Sequence, residues 1–308
     1  MNMWTKALTV GVTGSLGLSV SAQTTFITDD FEVDSSANYT ILDDGNAPSG
    51  DGVADSTSAF AFDYVAAGIP LAPNSTAGDV GGLRFTANDT SGDGGAASTA
   101  EEDHITAFHN TAVTSPTFTL TVDVYMGVES GSGSTEYGHI GVASDASDFN
   151  SIFTPIAGPG HYLAFTGEGG SASDWRHSTP STPAVPTGDA TYLDPANTTN
   201  GTGALYQSLF PNAKPNVLAG SPGNEWMTVE IVSDSVNLTY SINGTPIIRT
   251  PVELTDGNLA SLGYADVFDS VGPHFVVYDN LTVTDVPEPA TAALLGLGGL
   301  AMLRRRSA

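Results

Sequence analysis

The feature that most limits what this chain can fold into is a period. Between residues 23 and 285, apolar side chains recur at every second position over short runs, and no stretch carries the 3.6-residue period of an amphipathic helix. Phe118–Tyr125 sets Phe118, Leu120, Val122 and Val124 on one face of an extended segment, with polar residues on the other. Trp226–Val232 repeats the pattern and places Trp226 in the core. Asn237–Ile242 runs into Asn243-Gly244, a pair suited to a hairpin turn in which both central residues take positive φ, and Thr245–Arg249 returns from it. His274–Val283 closes the region. Weaker strands are expected over 25–31, 82–87, 137–142 and 161–166. Many short strands, punctuated by Gly, Pro, Asn and Asp and never alternating with helices, predict an all-β sandwich or jelly roll. The Pro-, Thr- and Gly-rich stretch 170–224 reads as a long ordered excursion over one face.

The ends differ from this body. Lys6, the apolar run 7–18 and the small residues Val20-Ser21-Ala22 form a secretion signal over 1–22, with cleavage expected between Ala22 and Gln23. At the other end Pro287-Glu288-Pro289 leads into the apolar run 290–303 and then Arg304, Arg305 and Arg306. As a helix that run is about 21 Å long, shorter than the roughly 30 Å hydrocarbon core. Snorkelling arginines extend its reach and hold the arginine end in the cytoplasm, so the body faces outward. The expected division is therefore a signal peptide (1–22), one β-sandwich body (23–285) and a tail (286–308) with a membrane-spanning helix over 290–303.

Charge and composition exclude several functions. Four basic residues (Arg84, Arg176, Lys214 and Arg249) remain in the body, against all but Glu288 of the 34 acidic residues. So negative a surface repels phosphate backbones, which excludes nucleic acid as a partner. The sequence contains no Cys. Disulfide frameworks, thiol nucleophiles and thiolate zinc sites are therefore absent together.

The ordered series of Pro-Glu-Pro, apolar helix and arginine cluster closely resembles the PEP-CTERM sorting signal of Gram-negative bacteria. The resemblance implies a membrane protease-transpeptidase, the exosortase, as a partner that processes the tail near Pro287-Glu288-Pro289. Trp226-x-x-Val-Glu-Ile, Leu238-Thr-Tyr-Ser-Ile-Asn-Gly-Thr and Tyr278-Asp-Asn-Leu-Thr-Val resemble the second half of concanavalin A-like, laminin-G-type jelly rolls. In such folds the first strand often pairs beside the last, which suits Asp29-Asp30-Phe31. Phe62-Asp-Tyr64, Gly68-Ile-Pro70 and Gly169 to Arg176 are similar to a group of PEP-CTERM proteins of that architecture with no assigned activity.

Candidate chemistry is sparse. No strand carries two carboxylates at the spacing that places them on one face about a glycosidic bond. No nucleophile elbow, phosphate loop or His-Glu-x-x-His segment is present. Calcium is the cofactor the residues suit best. Asp89, Ser91 and Asp93 occupy the first, third and fifth positions of a loop with Gly94 at the sixth. Asp29, Asp30 and Asp279 form a second candidate where first and last strands meet. Against both stands the common use of Asp, Ser and Gly in turns. His104 and His109 read as surface residues. Trp175, Tyr192 and Tyr206 are candidates for a platform on which sugar rings stack, or for residues that pack the excursion down. The reading that follows is a surface or matrix sandwich that binds glycan or exopolysaccharide, with structural calcium. A glycan-cleaving enzyme on the same scaffold and a passive envelope component are the alternatives.

Overall fold

The computed structural model describes residues 23–50, 52–88, 103–129, 136–151, 160–170, 174–194, 203–253, 257–266 and 274–286. The candidate loop Asp89–Asp93, the signal peptide and the tail from Pro287 lie outside these residues. So does the expected span 290–303; among the described residues no helix is long and apolar enough to cross a membrane.

Residues 24–286 form a compact unit, and it is a β-sandwich. Its strands are β1 (Thr25–Asp29), β2 (Tyr39–Asp43), β3 (Ser56–Ala59), β4 (Leu83–Ala87), β5 (Asp103–His109), β6 (Thr117–Gly127), β7 (Glu136–Ser144), β8 (His161–Phe165), β9 (Trp175–Ser178), β10 (Trp226–Asp234), β11 (Asn237–Ile242), β12 (Thr245–Pro251), β13 (Leu259–Asp266) and β14 (Phe275–Asp285). A short helix, α1 (Ala204–Leu209), interrupts the excursion. One antiparallel sheet runs β12-β11-β10-β6-β14-β4-β3, with β1 also paired to β14; the other runs β2-β5-β13-β7-β8-β9.

The first sheet follows its sequence pattern. In β10, Met227, Val229 and Ile231 are buried while Thr228, Glu230 and Val232 are half-buried, because only alternate side chains reach the core. The hairpin turn is present, with Asn243 at φ 50° and Gly244 at φ 77°. The second sheet differs: every residue of β5, β7 and β8 is buried. Its outer face lies under residues 148–151, which follow β7. There Phe149 stacks on His104 with ring centres 4.4 Å apart. The Asn150 backbone N–H donates to Thr106 Oγ1 (3.0 Å), and its side-chain amide donates to Ser261 Oγ (3.1 Å). Inside the sandwich, the Tyr278 hydroxyl reaches from β14 to the opposite sheet, donating to the Gly263 carbonyl (2.6 Å) and accepting from His139 N–H (3.0 Å).

Two expectations are corrected, and one that stood open between two roles is decided for packing. His104 and His109 are buried rather than on the surface, because β5 lies within a sheet covered on both faces. Trp226 is half-buried on the outer face of its sheet, where its ring donates to the Pro70 carbonyl (2.6 Å). Trp175, Tyr192 and Tyr206 form no open platform, since they are only 1%, 4% and 0% exposed. Trp175 stacks on Tyr206 at 5.1 Å, and the Tyr192 hydroxyl donates to the Val185 carbonyl (3.0 Å). These rings fasten the excursion to the core.

Candidate functional site

The outer face of the first sheet carries two carboxylates where its pattern calls for neutral groups. Asp123 in β6 and Asp279 in β14 are direct cross-strand partners, and both are buried. Like charges placed opposite one another repel, so the pair requires donors. A strap over residues 62–82, closed on itself by paired Phe62–Gly82 backbone hydrogen bonds, supplies most of them. Asp279 accepts from the Tyr64 hydroxyl (2.9 Å), Ser75 Oγ (2.7 Å) and the Asn280 N–H (2.7 Å). Asp123 accepts from the Asn74 N–H (3.0 Å), the Asn74 amide (2.9 Å), Thr228 Oγ1 (2.6 Å) and the Asn280 amide (3.1 Å). Burial pushes Asp279 up to about 6; its donors oppose the shift and the nearby Asp123 charge adds to it.

Beside this pair, at the β1–β14 seam, lies a cleft of about 330 Å³ lined by Thr28, Asp29, Asp30, Asn74, Asn280 and Thr282, among others. Asn280 sits at φ 55°, where a bulge shifts the β14 register, and its side chain leaves the ladder there. The Asn74 and Asn280 amides donate through their NH2 groups to Asp123, and both residues also line the cleft. With the Asp30 carboxylate and the threonine hydroxyls, they make the lining polar.

A second acidic group occupies one end of the other sheet. Register places Asp266 opposite both Asp103 and Glu136, so three buried carboxylates lie side by side across β5, β13 and β7. The His274 ring faces Glu136 at 3.5 Å, and Asp103 accepts from the Asp55 N–H (3.3 Å). Nearby Glu168 is pushed up to about 7, chiefly by burial and further by the charges of Asp174 and Asp266. A carboxyl that titrates there can exchange a proton near neutrality.

The structure divides the proposed Asp29, Asp30 and Asp279 site, which is a correction. Asp29 accepts from the Phe31 N–H (2.9 Å), Ser35 Oγ (2.7 Å) and the Tyr39 hydroxyl (2.9 Å), and Asp30 is exposed in the cleft. Asp279 is held under the strap. Among the described residues no three His, Asp or Glu side chains are placed to hold a metal ion. Sequence reasoning missed Asp123, Asn74, Asn280 and Glu168. The signal for the first was an Asp among the outward Thr residues of Phe118–Tyr125.

The exit of the body is equally specific. Asp285 ends β14, its N–H donating to the Thr24 carbonyl (2.8 Å), and Val286 donates to the Thr117 carbonyl (3.1 Å). Residues 285–307 match the PEP-CTERM protein-sorting motif. The sorting motif thus begins inside the folded sheet. No curated protein sequence matches the chain. Among solved structures, a protein of unknown function with a galectin-like fold from Bacillus subtilis is 10% identical over 86% of this chain and 98% of its own, with a TM-score of 0.43. The carbohydrate-binding module CBM66 from Bacillus subtilis is 10% identical over 75% and 96%, with a TM-score of 0.34. A GlcNAcα1-4Gal releasing endo-β-galactosidase from Clostridium perfringens is 11% identical over 89% and 66%, with a TM-score of 0.44. None of these likenesses carries a residue's role to this chain.

Proposed function

We propose that this protein is exported, held at the membrane by its sorting motif until an exosortase-type protease processes it, and then binds glycan at the cell surface or in the matrix. The motif at residues 285–307 supports the address. The polar cleft at the β1–β14 seam carries the binding reading, since sugar hydroxyls both donate and accept and the cleft brings the Asp30 carboxylate, threonine hydroxyls and the Asn74 and Asn280 side chains together. The acidic chain favours uncharged or cation-bridged polysaccharide over anionic partners. Calcium belongs in this reading as a structural ion of the Asp89–Asp93 loop.

Full-length protein in detergent, applied to a polysaccharide array with and without chelator, tests the proposal. Retention on at least one glycan, lost in Asp30→Ala and Thr282→Val, is the expected result. A wild-type protein that no glycan retains removes the binding reading. Glu168 favours a second reading, glycan cleavage, in which it donates the proton to a leaving-group oxygen. Incubation with retained glycans releases new reducing ends if that reading holds, and intact polymer dismisses it.

A further inference from the structure

At the end of the sandwich where the chain leaves at Val286, a pocket of about 400 Å³ opens beside the exit. Val113, Pro116, Phe118 and Val142 give it an apolar lining, and among the described residues no charged side chain lines it, although the chain carries a formal net charge of −26. The pocket and the exit share structure. Thr117, between lining residues Pro116 and Phe118, accepts from Val286 N–H (3.1 Å) and donates its hydroxyl to the Val286 carbonyl (3.3 Å). Phe118 is the cross-strand partner of Asp285.

No spacer separates these bonds from Pro287. A residue advances the chain by at most about 3.6 Å, so Pro287 to Pro289 stay within roughly 11 Å of Val286 whatever path they take. A protease that grips them must therefore press against this end of the folded body. We infer that this apolar-lined pocket is the seat for an apolar side chain of the membrane-embedded processing enzyme, so that the enzyme reads the folded end of the sandwich together with the motif. This rests on the sorting reading above. An apolar anchor filling a pocket within an otherwise charged surface is the usual form of an interaction hot spot.

The test uses the full chain in cells that process it, following loss of the tail by mass spectrometry. Thr114 and Asn258 line the pocket and are exposed, so Thr114→Lys and Asn258→Lys place a charge there without entering the core. Both should slow tail loss by about tenfold or more. Val65→Lys on the exposed strap should process at the wild-type rate, and matching melting temperatures confirm that the variants fold. Wild-type rates in both pocket lysine variants overturn this inference while leaving the sorting reading intact. A wild-type chain that keeps its tail overturns the sorting reading and this inference with it. Were a lipid surface the occupant, both lysines would tighten binding to phosphatidylglycerol vesicles and leave tail loss unchanged, which likewise refutes the enzyme as partner.

Discussion

The two sheets reach the same architecture by different rules. Away from the strap, the β12-to-β3 sheet buries alternate residues, so β10 reads half-buried, buried, half-buried along its length. The other sheet buries both faces, and β7 is covered from Glu136 to Ser144. Its outer face accommodates a cover because its middle residues are small. Gly141, Ser261 and Gly263 leave room for the His139 ring and for Asn150. His139 illustrates the consequence. Its ring lies over Gly263 with both nitrogens buried, and burial, with a smaller push from His104 and against the opposing Tyr264 backbone, lowers it to about 3. A half-exposed sheet tolerates side-chain changes on its open face, whereas a doubly buried one behaves as core throughout.

Substitution on the outward faces tests that contrast. The largest effect is expected at Gly263, where a Cβ would stand 2.0 Å from His139 Cε1 and 2.5 Å from the Ile105 carbonyl oxygen. Because backbone cannot yield as a side chain can, Gly263→Ala should cost about 3 kcal/mol in denaturant unfolding, and a loss below about 1 kcal/mol would show that the cover is loose. Asp279→Asn gives a smaller, pH-dependent effect. The fold raises this carboxyl from its ordinary 3.8 to about 6, so its stabilising contribution is full at lower pH and lost as pH rises through about 6. Asparagine keeps an acceptor for Tyr64 and Ser75 and does not titrate, so between about pH 4 and 7 the variant should gain about 1 kcal/mol relative to wild type, allowing for solvent screening. A stability difference independent of pH would contradict the raised carboxyl. The smallest effect belongs to Val232→Thr. Val232 is half-buried between Thr119 and Thr239 on the open face. Its melting should move by less than about 0.5 kcal/mol, and a core-sized loss would erase the distinction between the sheets.

The same contrast explains what could be read beforehand. Phe118–Tyr125, Trp226–Val232 and the Asn243-Gly244 hairpin were legible because alternation and turn chemistry are local. β5 and β13 were not, since Asp103-His-Ile-Thr-Ala-Phe-His109 and Leu259-Ala-Ser-Leu-Gly-Tyr-Ala-Asp266 fill two buried faces and carry no clean period. Long-range partners were equally hidden. Asp123 meets Asp279 only through the β6–β14 register, and Asn74 joins them only because the strap folds back. Trp175, Tyr192 and Tyr206 were selected by type, but exposure separates a stacking platform from packing, and that depends on the sheet they fold against.

The place where the chain departs also has a mechanical meaning. Near its end β14 is bonded to β6 on one side and β1 on the other, with hydrogen bonds that run across the strand direction. A tug delivered through Val286 and resisted by the rest of the sandwich therefore loads these bonds in shear, all at once, instead of peeling them open one after another. A single-molecule pull on the C-terminal end should meet high resistance, and easy unzipping would show that the strand is not gripped from both sides.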